Sequence, residues 1–388
     1  MATAPQDPAV LEHDLIVETV RRFAREEVAP RVREYDREER LPADLIRRLG
    51  ELGLLGGTIP PRWGGHGLSH VTYAAALEEM ATVCHSLAVL MSMPSALVGA
   101  GILEHGSDAQ RQRFLASLAS GEKIGAAAVT EPRSGTDVAG METSAERSGD
   151  GYVLRGAKAW ISNLELADFF VTFARVGGGR GREGITAFIV PADTPGLGRN
   201  PFKNKLGFRP LSTGELVLDG CRVPAELRLG EEGEGMRVAM CAVENGRLGV
   251  AARALGLARA CLDASVAYAK ERVVMGAPIA ERQLVQAKIT EMIVGIRSAR
   301  HLIRELAEAK DAGRPARQLA SIAKLHASDL AMRSAEDAVQ IHGAYGCSEE
   351  YPVSRHFRDA KVFQIVEGSN DLHRALIAEI ELSIRPDR

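Results

Sequence analysis

The 388-residue sequence predicts a mainly α-helical protein interrupted by one β-rich middle section. Helical spacing of apolar residues runs from near the start to about Ser120. Short β-branched and aromatic runs separated by turn residues follow, and helical spacing returns after GEEGEG, Gly230 to Gly235. A chain this long exceeds one ordinary core, so two or three domains sharing an interior are expected.

In the first section Ile16, Val20 and Phe23 recur every three or four residues between charged ones, the pattern of an amphipathic helix. GGTIPPRWGGHG, Gly56 to Gly67, holds two prolines and five glycines and reads as a loop. The most apolar window, Leu87 to Leu103, contains Pro94 and several small residues, so it reads as a buried helix pair and not as a membrane span. In the middle section GYVLRGAKAWIS, after the Asp150-Gly151 turn, then FFVTFARV, GITAFIV and ELVLDGCRV read as strands of an antiparallel sheet or barrel. In the last section Ile289, Met292, Ile293, Ile296, Ala299, Ile303 and Leu306 mark one helix face. The boundaries expected are an α-helical domain at 1–124, a β-domain at 125–232 and a helical domain at 233–388.

Apolar residues at 45% and charged residues at 26% are near globular averages, and a formal net charge of -3 gives no basic surface for nucleic acid. The five cysteines form no CxxC pair and read as reduced thiols. MATAPQDPAVLEHD lacks a basic stretch followed by an apolar one, which makes a cytoplasmic location the expectation. A metal centre is not expected, because the ten histidines read as forming no HxxxH or HxH pair.

Five segments then bear comparison with a known family. TEPRSGTD (Thr130 to Asp137), KAWISN (Lys158 to Asn163), KNKLGFRPLSTGELVLDGCRVP, ERVVMGAPIAERQLVQ (Glu271 to Gln286) and QIHGAYGCSEEYPVSRHFRDAKVFQIVEGSNDLHR (Gln340 to Arg374) resemble, in order, motifs of the acyl-CoA dehydrogenases. The resemblance implies an N-terminal α-helical domain, a central antiparallel β-domain and a C-terminal four-helix bundle. It also implies non-covalent FAD between the β-domain and the bundle, a neighbouring subunit completing the cofactor site in a homotetramer or dimer, and an electron-transferring flavoprotein as electron acceptor.

Oxidising an acyl thioester to its 2,3-enoyl product needs a base for the α-C–H, donors for the developing enolate oxygen and a two-electron acceptor. By resemblance Glu367 in IVEGSN is the base and its backbone N–H an enolate donor; read alone, it is a turn residue before a helix N-terminus. A variant of the family takes its base from the position of Gly246, which here has no side chain to serve. Glu244 and Arg247, one turn apart, either contact the thioester arm or form an i,i+3 ion pair of about 0.5 kcal/mol. Ser134, Val366 and Gly368 are the other substrate-side positions.

For FAD, Trp160 and Ser162 match residues on a ring face and near N5, and two-residue spacing puts them on one side of a strand. Thr130, Gly135 and Thr136 match the loop at the pyrimidine end. Arg272, Met275 and Gln283 match residues reaching the pyrophosphate and adenosine from the adjacent subunit. Gln340, Gly343 and Ala344 match the adenine turn, and Ser369 and Asp371 the phosphate and ribityl segment. Val366, Ala344 and Cys347 depart from the family's usual residues, and Arg133 reads as an exposed loop arginine near the entrance. An acyl group on an acyl carrier protein, or flavin oxidase or desulfinase chemistry, are the alternative readings on the same scaffold.

Overall fold

The computed structural model describes residues 8–385 apart from Arg180. The leader reading of the first seven residues lies outside the described residues. Among the described residues seven α-helices come first: α1 (Pro8–Phe23), α2 (Val32–Glu38), α3 (Ala43–Glu51), α4 (His70–Ala81), α5 (His85–Ser92), α6 (Gly99–His105) and α7 (Asp108–Ser120). Val20 and Phe23 face the core, as their spacing requires, and the apolar window splits into the buried α5 and α6. Local chemistry fixes the last boundary. Ser107 Oγ accepts from Gln110 N at 3.2 Å and Ser107 N donates to Gln110 Oε1 at 3.0 Å, while Gly121 at φ 76° ends the helix.

The middle strands are β1 (Gly125–Ala128), β2 (Ser144–Ser148), β3 (Gly151–Ser162), β4 (Phe169–Val176), β5 (Ile185–Pro191), β6 (Leu197–Pro201), β7 (Thr213–Pro224) and β8 (Arg228–Leu229). They form one sheet in the order β6-β7-β3-β2-β4-β5-β8, with β1 also beside β4. The sheet is not purely antiparallel as expected, because β1 and β2 both run parallel to β4. The reason is local: β1 pairs with Phe169 to Thr172, the chain leaves the sheet through residues 129–143, and β2 rejoins the same strand at Arg175 and Val176. That excursion carries the TEPRSGTD segment.

The C-terminal part holds α8 (Gly235–Glu271), a hairpin of β9 (Val273–Val274) and β10 (Ala277–Pro278), α9 (Gln283–Asp311), α10 (Arg317–His342), α11 (Pro352–Phe363) and α12 (Asn370–Glu381). α8, α9 and α10 pack against one another, and α11 and α12 pack on α10. On α9 the spacing holds for Met292, Ile296, Ala299, Ile303 and Leu306, which are buried, but Ile293 is 39% exposed. With Met292 and Ile296 facing inward, the adjacent position 293 lies about 100° round the helix, on the outer side.

A buried polar seam joins the three parts. Asp359 on α11 accepts from His85 Nδ1 of α5 at 2.7 Å and, through its other oxygen, from Phe208 N of the loop before β7 at 2.7 Å. His85, His356 and His373 are each at most 2% exposed. Burial holds their ring pKa values below the usual histidine range, against the pull of Asp359 on His85, and takes His373 down to about 3. Unfolded, these rings titrate near 6.5, so the unfolded chain binds protons that the folded chain refuses. Their stabilising contribution is complete above about pH 6.5 and falls with pH below it, by up to ~1.4 kcal/mol per ring per pH unit. The melting temperature at pH 5.5 is therefore expected several degrees below that at pH 7.5, and an equal value in calorimetry at the two pH values would refute this.

Candidate active site

Glu367 lies in the short connection between α11 and α12, at φ 54°, and Gly368 follows at φ 98°. A left-handed glutamate costs about 1 kcal/mol, so its surroundings must hold it. Asn370 N donates to Gln364 O at 2.9 Å and closes the turn. Lys324 Nζ of α10 donates to Gly368 O at 2.6 Å and Asn370 Oδ1 at 2.8 Å, and His373 Nε2 reaches Glu367 O at 3.3 Å. Ser369 caps α12 by accepting from Leu372 N at 3.2 Å.

The Glu367 side chain is 10% exposed and rests on α8 over Gly246. A Cβ at position 246 would sit 2.0 Å from Glu367 Oε2, so the absent side chain is the space that the carboxylate occupies. Oε1 is 3.6 Å from Arg253 Nη2 of α8, while Oε2 has no hydrogen-bond partner among the described residues. Burial raises the carboxyl pKa, and Arg253, Lys324 and Arg247 oppose this in that order. A desolvated carboxylate with one free oxygen is equipped to take a proton from carbon.

The i,i+3 pair between Glu244 and Arg247 does not form. Glu244 Oε1 pairs with Arg317 Nε of α10 at 3.1 Å, a contact across helices that sequence spacing cannot reveal. Arg247 is 4% exposed, and its Nε and Nη1 have no hydrogen-bond partner among the described residues. Burial lowers its pKa, offset first by Glu244 and then by Glu367. A buried guanidinium with idle donors beside the base is disposed toward a ligand.

The TEPRSGTD loop is tied to β3. Ala159 N donates to Thr130 O at 2.8 Å, Glu131 and Ser134 exchange backbone hydrogen bonds, and Ser134 Oγ donates to Asp137 O. Gly135 and Thr136 are exposed, as is Arg133, 3.8 Å from Glu142. Underneath, Lys158 Nζ of β3 donates to Glu131 Oε1 at 2.7 Å with both side chains buried, and Glu131 also accepts from Thr143 N at 3.0 Å. Burial lowers the Lys158 pKa to about 8 against the pull of Glu131; burial also raises Glu131, but Lys158 together with hydrogen bonds from Thr143 and Glu142 outweighs it and holds Glu131 below its usual range. Lys158→Met strands a buried carboxylate and is expected to lower stability by about 3 kcal/mol. Adding Glu131→Leu should restore most of it; equal denaturation midpoints for the single variant and the parent would refute the assignment.

Trp160 does not obey the regular pleat that puts it on the same side as Ser162. It has φ 60°, and the β3–β7 register shifts between Lys158 and Ile161, so alternation breaks there. The residue is 64% exposed, and its indole is braced edge-on by Phe202 at 5.1 Å. Gln340, Gly343 and Ala344 are exposed at the end of α10, Asp371 is exposed on α12, and Val366 is half-buried beside Glu367. Arg272, Met275 and Gln283 lie on the β9–β10 hairpin and the start of α9, all exposed, with Arg272 over the Tyr345 ring at 5.8 Å. Met275 is 93% exposed.

Sequence reading missed Arg253, Lys324, His373 and the Lys158–Glu131 pair. A signal existed for two of them: Arg253 in GVAARALGLA and Lys324 in ASIAKLHAS are lone cations inside small-residue helical runs. The expectation of no HxxxH pair fails, because His66 and His70 have that spacing. His70 Nδ1 lies 2.7 Å from Asp311 Oδ1, while His66 packs against Gly53, so the two make no pair. Elsewhere Glu104, His105 and Cys241 bring ligand-type atoms within 4.8 Å of one another.

Helical, sheet and helical layers around a desolvated glutamate and a bare tryptophan fit an oxidoreductase that works on C–H bonds beside a planar cofactor. Models of the acyl-CoA dehydrogenase N-terminal, middle and C-terminal domains match residues 11–122, 126–221 and 233–382. The chain is 40% identical over 368 residues to an acyl-CoA dehydrogenase of Bacillus subtilis, covering 95% of this chain and 97% of that one. It is 40% identical over 366 residues to the human mitochondrial short-chain specific acyl-CoA dehydrogenase, covering 94% and 89%. The structure of butyryl-CoA dehydrogenase from Megasphaera elsdenii superposes with TM-score 0.93 at 39% identity, covering 98% of this chain and all of that one. The protein is thus an FAD-dependent oxidoreductase. It belongs to the acyl-CoA dehydrogenase family.

Proposed function

We propose that the protein oxidises the α,β bond of a short acyl-CoA to the 2,3-enoyl thioester, with Glu367 removing the α-proton. The observation that carries this is the buried Glu367 carboxylate, seated over Gly246 with one oxygen unpartnered. The Glu367 backbone N–H has no acceptor among the described residues, which supports its role as a donor to the thioester oxygen as that oxygen gains charge. Proton and enolate would then be handled by one residue held in place by Lys324 and His373. Arg247, with its idle donors, would orient the thioester arm, and Ser134, Glu244, Val366 and Gly368 would bound the passage.

The residues present fit FAD: an indole left bare and braced by Phe202 offers a rigid face to a planar ring. Trp160, Ser162, Thr130, Gly135 and Thr136 would hold the ring system, and Gln340, Gly343, Ala344, Ser369 and Asp371 the remainder. When bound, FAD supplies the two-electron oxidation at the β-carbon. Arg272, Met275 and Gln283 would act on a neighbouring subunit's cofactor. Exposed Val273, Met275, Leu284 and Val294 form apolar surface on the same hairpin and α9, which supports a homo-oligomer, tetramer or dimer. Domain boundaries at 124/125 and 232/233, a cytoplasmic location and an electron-transferring flavoprotein as acceptor complete the reading. Among the described residues no helix is long and apolar enough to cross a membrane.

The test is anaerobic mixing of the FAD-loaded protein with butyryl-CoA. Flavin bleaching with formation of the 2-enoyl thioester is expected. Bleaching only with a carrier-protein thioester would replace CoA by that carrier, and no bleaching with either would overturn the reading.

A further inference from the structure

The wall of the acyl site beyond Glu367 is not the purely apolar surface that a simple alkyl chain needs. Gly246 and Gly249 leave bare backbone on one face of α8, and Arg253 lies one further turn along that face. A Cβ on Gly249 would lie 3.5 Å from Leu77, 3.8 Å from Ser92 and 4.0 Å from the Arg253 guanidinium carbon, so these groups converge on the bare backbone of that turn. There Arg253, 3% exposed, donates to Ser92 Oγ, and Tyr73 donates from its hydroxyl to Ser92 O at 3.1 Å. Arg253 Nε has no partner among the described residues. Its carboxylate neighbour is Glu367 at 3.6 Å.

That neighbour is the group that loses its charge in the reaction. Once Glu367 has taken the α-proton, a buried guanidinium is left facing a neutral acid and the hydroxyls of Ser92 and Tyr73, which is costly in a desolvated site. While Glu367 remains ionised, the cation beside it also makes it a weaker base. A substrate carrying its own anion at the far end of the acyl chain removes both penalties, because it pairs with Arg253 throughout and frees the base from it. The short distance between Glu367 and Arg253 limits the chain to a few carbons beyond the α-position. Planar guanidinium geometry favours a carboxylate over a hydroxyl.

We infer that Arg253 is a specificity-determining residue and that the preferred substrate is a short ω-carboxyacyl thioester, of about glutaryl length, rather than the alkyl thioester of the same reach. This rests on the dehydrogenase reading above.

The experiment compares glutaryl-CoA with butyryl- and pentanoyl-CoA as anaerobic reductants of the FAD-loaded protein, parent and Arg253→Gln, with kcat/KM for each ester. The parent is expected to favour glutaryl-CoA by tenfold or more, and Arg253→Gln to lose that preference or invert it while still reducing its flavin with pentanoyl-CoA. A parent preference for the alkyl esters would overturn the inference even if the variant failed to fold. So would an unchanged preference in a folded Arg253→Gln variant. Either result leaves the dehydrogenase reading standing, whereas no reduction by any of the three esters would remove that reading and this one together.

Discussion

Glu367→Gln is expected to retain the fold and the bound FAD and to slow anaerobic flavin reduction by about 10⁴-fold, the upper range for loss of a positioned general base. The substitution preserves volume in a site where the carboxylate is 10% exposed, and the amide oxygen can still face Arg253, so stability should change little. What disappears is the ionisable oxygen that has no partner among the described residues. The parent's pH dependence supplies an independent check. Burial raises the Glu367 pKa against the opposing charges of Arg253, Lys324 and Arg247, so the reactive ionised form is lost on acidification at a higher pH than for an ordinary carboxylate. The reductive rate should fall as pH drops through that raised value, and the residual rate of the Gln variant should lack this limb. A Gln variant with near-parent rates would mean that another group takes the proton.

The helical, sheet and helical order was legible because burial imposes spacing on long elements: β3 and β4 begin and end where the runs GYVLRGAKAWIS and FFVTFARV do. β2 and β6, written SAERS and LGRNP, carried too little apolar signal to read, since each sends a single apolar side chain, Ala145 or Leu197, to the core and is otherwise held by its neighbours. The parallel pairings were also hidden, because a chain that leaves a sheet edge and returns to it has no local signature. At the site, Glu367 and Trp160 were legible only through resemblance. Their left-handed backbones, like the Glu244–Arg317 pair, depend on residues far away in sequence. The charges around Glu367 come from two helices, α8 and α10, and Arg253 and Lys324 became part of one site only when those helices met.

Gly246→Ala should separate activity from stability most sharply. The sequence reading used Gly246 only to exclude a second base; in the structure it is the seat of the first. An added methyl would fall 2.0 Å from Oε2 and 2.7 Å from Cδ of Glu367. These atoms end a flexible side chain, so the least costly response is rotation of the carboxylate away from α8 and not displacement of the backbone. Alanine in a helix interior gains up to about 1 kcal/mol over glycine, which offsets much of that rearrangement. The melting temperature should therefore stay within a few degrees of the parent or rise, and the FAD content should be unchanged. Flavin reduction should nevertheless slow by at least about 10²-fold, because a base displaced by roughly an ångström no longer meets the α-carbon. Thermal denaturation and single-turnover reduction of the same preparation read both effects. A stable variant with parent-like rates would show that the carboxylate works from a position other than the one over Gly246.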